Sequence, residues 1–424
     1  MSVAYETGTR WSSTLPAGQR TYYESLLLET LRTKSVLIPF TVVKEDFRAR
    51  DTGVIVYSEV MDTDPDYNAL AETTIWLTGA HLDSRSVQIQ LEIHGDTIKI
   101  SDYNELVNYW NGGDLRGIVQ GKLGQNQVDY LDILARNAFL SAPYKTLAGG
   151  RSTIYGLLQT DVFDPDYCEN ARTHLEEREV PGVASPEDGG GGVIVCVTSP
   201  RVIHDIRTAV GSKWLEVQGY AGGFRKFNSE AGMWNGVRFI KTNRLRLFNY
   251  GLVGAATTLD GATIPGQGSA ATVDSVYSVG QSGSTRTVDF TSAASFAVGD
   301  VVTIHSASVY ENDGAGGKAP SLADGTQETR RIVSINTNAV AFDRPLLKAH
   351  ASGALVTKGV TLNASIFMGG PAVVYGVGER PHPIVLPKID DMGMVQRFTW
   401  RGFVKLQMFR PELLEVVWSG GSTD

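Results

Sequence analysis

A chain of 424 residues exceeds one ordinary domain, and its 46 glycines, about 11% against a usual ~7%, mark it as turn-rich. Its net charge of −8 (38 Lys+Arg against 46 Asp+Glu) argues against a nucleic-acid binder that works through whole-molecule charge. A content of 20% charged and 42% hydrophobic residues excludes global disorder, and two cysteines, Cys168 and Cys196, exclude a disulfide scaffold or a Cys-rich zinc domain.

The first stretch, to about Pro16, is polar. Tyr22, Tyr23, Leu26, Leu27 and Leu31 then fall on one apolar stripe and predict a short helix. Val36 to Phe40, interrupted by Pro39, reads as extended chain. Residues 46–100 read as β: Val54 and Val56 oppose Ile55 and Tyr57, while Val87, Ile89, Leu91 and Ile93 alternate with polar neighbours. Between them lies a turn-rich acidic tip, Asp62-Thr63-Asp64-Pro65-Asp66, so a long hairpin is predicted.

The period then lengthens to that of a helix. Ser101 or Asp102 can cap one start, Gly112-Gly113 breaks it, and Leu115, Ile118, Val119, Leu123, Leu131, Leu134, Ala138 and Phe139 predict a long helix ending near Leu140. Asp164-Pro165 and Ser199-Pro200 are cap-plus-proline starts for two further helices. Gly189 to Gly192 is a flexible loop before a buried strand at Val193–Val197, and Val237–Ile240 predicts another strand. From Ala255 to Gly359 helical periodicity fades and short strands are predicted at Thr287–Phe290, Val301–His305, Ile332–Ile335 and Ala339–Phe342. After Gly359 strands are predicted near Ala372–Tyr375, Gln396–Trp400 and Val404–Met408, so the β module reads as an insertion. The first thirty residues carry no leader pattern and no apolar run reaches ~18 residues, so neither a signal peptide nor a membrane span is expected.

Catalytic motifs are missing from the sequence. Gly316-Gly317-Lys318 imitates a phosphate-binding loop, but Asn312 stands where its first Gly belongs and Ala319 replaces Ser/Thr. Asp62-x-Asp64-x-Asp66 imitates a calcium loop, but Tyr67 and Thr73 occupy the positions that need Gly and Glu. The seven histidines never fall at metal-ligand spacing, and adjacent His204 and Asp205 are not expected to share a helix face. Cys168 and Cys196 read as buried small hydrophobes. Arg225, Lys226, Arg238, Lys241, Arg244 and Arg246 form a local basic stretch, read first as solvated faces and subunit salt bridges. The size of the chain, its long hairpin and the lack of site chemistry point to assembly; such hairpins are costly unless a neighbour covers them.

Several stretches resemble the major capsid proteins of tailed bacteriophages with the Hong Kong 97-type fold, and among them the major head proteins of N4-like phages. They are Arg20-Thr21-Tyr22-Tyr23-Glu24-Ser25-Leu26-Leu27; Val87–Ser101; Thr198-Ser199-Pro200-Arg201-Val202-Ile203-His204-Asp205-Ile206-Arg207; Glu230-Ala231-Gly232-Met233-Trp234-Asn235-Gly236-Val237-Arg238-Phe239-Ile240; and Gly369–Gly376. Their order and spacing carry the likeness, which spans roughly residues 17–255 and 360–415 and leaves the β module unmatched.

The resemblance implies an α+β capsid fold: an N-terminal arm at 1–45, an extended β-hairpin loop at 46–100, and a spine helix with the peripheral domain and part of the axial domain at 101–254. An inserted all-β domain follows at 255–359, and 360–424 returns to the axial and peripheral core. It implies no enzyme, catalytic residue, cofactor or metal. It implies self-assembly as hexamers and pentamers into an icosahedral shell around double-stranded DNA. Portal, decoration and scaffolding proteins would be further partners, and the place of the chain would be the virion, assembled in the host cytoplasm without a membrane. Candidate inter-subunit contacts are Tyr22, Tyr23, Leu26, Leu27, Arg48, Arg50, Asp62, Asp64 and Asp66; Arg225, Lys226, Arg244 and Arg246 are candidates for a DNA-facing surface or capsomer salt bridges. Some relatives cross-link through a loop Lys, but none occurs here between Asp51 and Ile98, so a non-covalent shell is expected. The alternatives are a bacterial encapsulating shell holding enzyme cargo, and a carbohydrate-active or surface-binding protein with an accessory β module.

Overall fold

The computed structural model describes residues 35–45, 52–58, 84–101, 115–183, 192–215, 229–263, 285–346, 348–386 and 395–421. Along the chain, β1 (Thr41–Lys44), β2 (Thr52–Ser58), β3 (Ser84–Gln90) and β4 (Glu92–Ser101) precede the 26-residue helix α1 (Leu115–Leu140). Next come β5 (Lys145–Leu147), α2 (Pro165–Glu177), β6 (Ile194–Thr198), α3 (Pro200–Val210), β7 (Glu230–Trp234), β8 (Val237–Lys241) and β9 (Arg246–Leu247). Eight strands follow: β10 (Val253–Thr258), β11 (Thr285–Asp289), β12 (Val301–His305), β13 (Tyr310–Asn312), β14 (Lys318–Pro320), β15 (Glu328–Asn336), β16 (Ala339–Leu346) and β17 (Leu355–Gly359). The last four are β18 (Leu362–Met368), β19 (Val373–Leu386), β20 (Val395–Met408) and β21 (Leu414–Gly420). Two compact units result: Met1–Ala135 with Val373–Phe409, and Arg136–Ala372 with Arg410–Asp424.

The first unit is built on a sheet of order β1-β19-β20-β4, in which β1 runs parallel to β19 and the other pairs are antiparallel. Alternation along β20 buries Phe398 and Trp400, which pack with Ile100, Val119 and Leu123 against α1. The Trp400 indole N–H donates to Asn126 Oδ1 at 2.9 Å, and Gln127 Nε2 donates to the Pro381 carbonyl at 3.3 Å. Buried Asp132 accepts from Ser35 Oγ at 2.9 Å and from the Leu37 N–H at 3.2 Å, which fixes the segment before β1 to the helix. Gly95 is required by close approach: a Cβ there would lie 2.5 Å from the Trp400 carbonyl oxygen. Separately, β2 and β3 form an antiparallel pair, Thr52 opposite Gln90 through Ser58 opposite Ser84.

The second unit holds a seven-stranded sheet of order β5-β21-β18-β6-β8-β7, with β9 also on β18. Helices α2 and α3 pack on it through Cys168, Ala171 and Leu175 and through Val202, Ile203 and Ile206. Both start as their sequences require. Asp164 accepts from the Asp166 N–H and Ser199 Oγ from the Val202 N–H, each followed by Pro, which needs no helical partner for a missing N–H.

Strands β10, β17, β12, β15, β16 and β11 form a six-stranded sheet in that order. It closes on itself. An antiparallel bridge joins Leu259 to Phe290, the Asp260 N–H donates to the Asp289 carbonyl at 2.8 Å, and the Thr291 N–H to the Thr258 carbonyl at 2.9 Å. Closure removes the free edges that an open sheet would expose. Inside lie Val288, Phe290, Phe296, Val302, Ile304, Ile332, Val340, Phe342 and Val356.

Three local expectations change. Ile38–Phe40 is a 3-10 turn, not extended chain, and the extended strand starts only at Thr41, because Pro39 fits the first turn of a helix as well as an extended segment. Gln396–Trp400 and Val404–Met408 are one continuous 14-residue strand, β20. Gly402 sits inside it because a Cβ there would meet Pro381 at 2.8 Å. The alternation from Val87 to Ile93 breaks at Leu91. Ile89 is fully buried while Ile93 is 68% exposed, because β3 pairs with β2 and β4 pairs with β20. The N-terminal stripe, the segment 59–83, the helix expected after Asp102, the glycine loop at 189–191 and residues 216–228 lie outside the described residues.

Candidate functional site

Among the described residues, no group of three or more His, Cys, Asp or Glu side chains is placed to hold a metal ion. No described helix is long and apolar enough to cross a membrane. The phosphate-loop imitation is filled by the chain itself: Asp313 Oδ1 accepts from the Ala315 and Gly317 N–H groups, each at 2.8 Å. Lys318 lies over the Tyr310 ring, 4.6 Å from its centroid. The two thiols are buried in the core of the second unit. Burial pushes Cys168 up to about 12 and Cys196 well above the ordinary thiol range, so neither is a thiolate at neutral pH. His204 and Asp205, expected not to share a helix face, lie 3.6 Å apart, and with His204 70% exposed the contact is at the surface.

One buried charge of the second unit is Glu415, a carboxylate 2% exposed on β21. It accepts from Arg178 Nη2 at 3.0 Å and Thr146 Oγ1 at 2.8 Å, and meets His174 Nδ1 at 2.8 Å. Arg178 also lies 4.0 Å from the centroid of the Tyr144 ring. These partners come from α2 and the segment around β5, so one buried charge fixes three pieces of chain. Sequence spacing could not reveal it, because the partners are up to 269 positions apart.

In the first unit, charges cross the four-stranded sheet. Arg380 pairs with Glu45, Arg401 with Glu379 at 3.2 Å, and Lys405 with Glu92. His94 Nδ1 meets the Tyr130 hydroxyl at 2.9 Å, and burial lowers its affinity for a proton, with Glu92 opposing. The two strands that end this sheet, β1 and β4, carry exposed apolar side chains, Val43 at 50% and Ile93 at 68%. Exposed edge strands are templates for pairing with another chain.

Of the residues singled out from the sequence, Tyr22, Tyr23, Leu26, Leu27, Arg48, Arg50, Asp62, Asp64, Asp66, Arg225 and Lys226 lie outside the described residues. Arg246 is exposed on β9, 5.1 Å from the Phe248 ring centroid. Arg244 is half-buried in the turn before it, and its carbonyl accepts from Arg136 Nη1 at 3.4 Å.

A family model described as phage capsid protein matches residues 135–385. No curated protein matches the sequence. Among solved structures, the chain is similar to the capsid of Ralstonia phage GP4, with a TM-score of 0.55 at 13% identity, covering 91% of this chain and 88% of that one. It is also similar to the capsid of cyanophage Pam1, with a TM-score of 0.51 at 9% identity, covering 91% and 89%.

Proposed function

The chain belongs to the phage capsid protein family, and from that premise we propose how its parts build a shell. It is a major capsid protein of Hong Kong 97-type fold, its copies self-assemble into an icosahedral shell, and its place is the virion. The finer reading begins with hexamers and pentamers as the assembly units, closed by symmetry around many modest contacts. The observation that carries it is the presence of the separate antiparallel pair β2–β3 together with a four-stranded sheet whose end strands present Val43 and Ile93 to solvent. Contacts of this kind gain from a neighbouring copy what they lack alone.

In this reading the hairpin, with its tip from Asp62 to Asp66, and the N-terminal stripe of Tyr22, Tyr23, Leu26 and Leu27 lie on adjacent subunits. Arg48 and Arg50 contribute rim charge. The shell holds by non-covalent contacts, since no Lys occurs between Asp51 and Ile98. Double-stranded DNA is enclosed without sequence-specific binding, with Arg225, Lys226, Arg244 and Arg246 facing it or bridging capsomers. The closed β module faces outward; its seven Lys/Arg against nine Asp/Glu make it near neutral and ill-suited to lining a polyanion. Portal, scaffolding and decoration proteins are the further partners. An encapsulating shell with enzyme cargo would share the fold, but the family match favours the phage reading. Denaturing gels and nuclease protection test the proposal together: mature particles should run as single chains and protect DNA. Covalent ladders would refute the non-covalent shell, and protein cargo without DNA would favour the alternative.

A further inference from the structure

His305, at 0% exposure, ends β12 on the face opposite the core residues Val302 and Ile304, and His350 is 4% exposed. His305 Nδ1 meets the Ser306 carbonyl at 3.2 Å and must carry the proton there, which leaves Nε2 as a bare acceptor with no partner. His350 Nε2 is likewise without a hydrogen-bond partner, 3.7 Å from Glu328 Oε1.

The groups around these two histidines are already engaged. Glu328, 6% exposed on β15, accepts from the Lys348 N–H and pairs with Arg330. Lys348 Nζ donates to the Gly325 and Gln327 carbonyls. Asp324 accepts from the Ser306 N–H at 2.8 Å and from the Thr326 N–H at 2.8 Å. From β17 the residue opposite His305 is Leu355, and the nearest charge on that strand, Lys358, is bonded to Asp300 at 2.8 Å. Next to this loop, the Tyr250 hydroxyl donates to Gln327 Oε1 at 2.7 Å at the point where the chain enters the barrel.

A proton on His305 Nε2 would therefore add a buried donor with no acceptor. We propose that His305 is a proton-sensitive latch: its protonation frees the 306–327 segment from the barrel end and with it the Gln327 tie to Tyr250. Burial lowers the proton affinity of His305, and His350 adds to this, while the Ser306 carbonyl and Asp324 oppose. The native state thus binds fewer protons than the opened one. The stability of this end is fully present above the ordinary value of 6.5 and is lost as pH falls below it.

Amide hydrogen exchange on the intact protein tests this at about pH 7.5 and about pH 5.5, corrected for intrinsic exchange. In the wild type, peptides covering 301–306 and 324–330 should lose about tenfold in protection, while β18 and β21 keep theirs. His305→Asn, which keeps a donor toward Ser306 but does not titrate, should abolish the response. An equal response in the variant, no response in the wild type, or a loss spread equally over β18 and β21 would overturn the latch. Should the variant not fold, deuterium exchange at the imidazole C2 of wild-type His305 reads its titration directly. A midpoint below 6.5 supports the proposal and one at or above it contradicts it.

Discussion

Asn249 Oδ1 accepts the backbone N–H of Gly359 at 3.1 Å, although 110 residues separate them. Its Nδ2 donates to the Val301 carbonyl and to Thr303 Oγ1, both at 3.0 Å. One buried side chain thus ties the two ends of the β module to each other and to β12. Asn249 also holds a φ of 65°, a left-handed conformation that Asn tolerates better than most residues. Asn249→Ala leaves these groups unpaired and should cost about 1–3 kcal/mol. Asn249→Gly, which accepts the φ, isolates the loss of the hydrogen bonds. Denaturant unfolding of both variants, with hydrogen exchange at 249–253 and 357–360, checks the result.

Glu415 is the second test. Glu415→Ala removes the buried acceptor shared by Arg178, His174 and Thr146 and should destabilise the second unit by about 1–3 kcal/mol, since Arg178 is partly exposed and keeps the Leu414 carbonyl. Glu415→Gln keeps the shape and an acceptor for Thr146 and should cost less. Thermal unfolding of the two variants gives the order; equal losses would assign the whole effect to the charge, and no loss in Glu415→Gln would mean that charge pairing contributes nothing beyond packing.

Trp400 joins β20 to α1 and is 1% exposed. Trp400→Phe removes the bond to Asn126 but fills much of the space, whereas Trp400→Ala opens a cavity and should cost about 3–5 kcal/mol. Chemical denaturation compares them.

Acid should weaken the second unit in a separate window from the histidine latch. Burial alone would raise Asp161, Asp300 and Asp324. Arg151 and the Leu158 N–H hold the first down, Lys358 and the Ala297 N–H the second, and the Ser306 N–H and Thr326 the third. Each folded carboxyl therefore lies below its ordinary 3.8, so its contribution is present above that value and is lost as pH falls through the folded values. Asp300→Asn should lower stability by a constant amount near neutrality, where the pair with Lys358 is lost, and flatten part of the pH dependence below 3.8.

Much of the fold was legible because local rules agree with it. The Asp164-Pro165 and Ser199-Pro200 starts, the apolar period up to Leu140 and the Val301–His305 strand all sit where the sequence puts them. What stayed hidden depends on long-range pairing. Nothing local says that Leu259 meets Phe290 and closes the sheet, or that β4 leaves β3 to pair with β20. The same holds for Glu415 and Asn249, polar residues with no motif around them, whose meaning comes from partners far along the chain. The functional reading came from ordered likeness and from missing catalytic chemistry, and neither could name Val43 or Ile93 as exposed edge residues.

The hairpin gives a direct test of assembly. Deleting Asp62 to Asn68 should leave the monomer folded, by circular dichroism and unfolding, yet abolish particles. Normal particles from the deletion would count against a role for the tip.

Copies of this chain close into a shell. Electron cryomicroscopy of the purified full-length protein under assembly conditions measures it most directly. Closed icosahedral particles are expected, with subunits that fit the two units and with β1 and β4 against neighbouring copies. Monodisperse monomers under every assembly condition, or particles in which both edge strands face solvent, would contradict it.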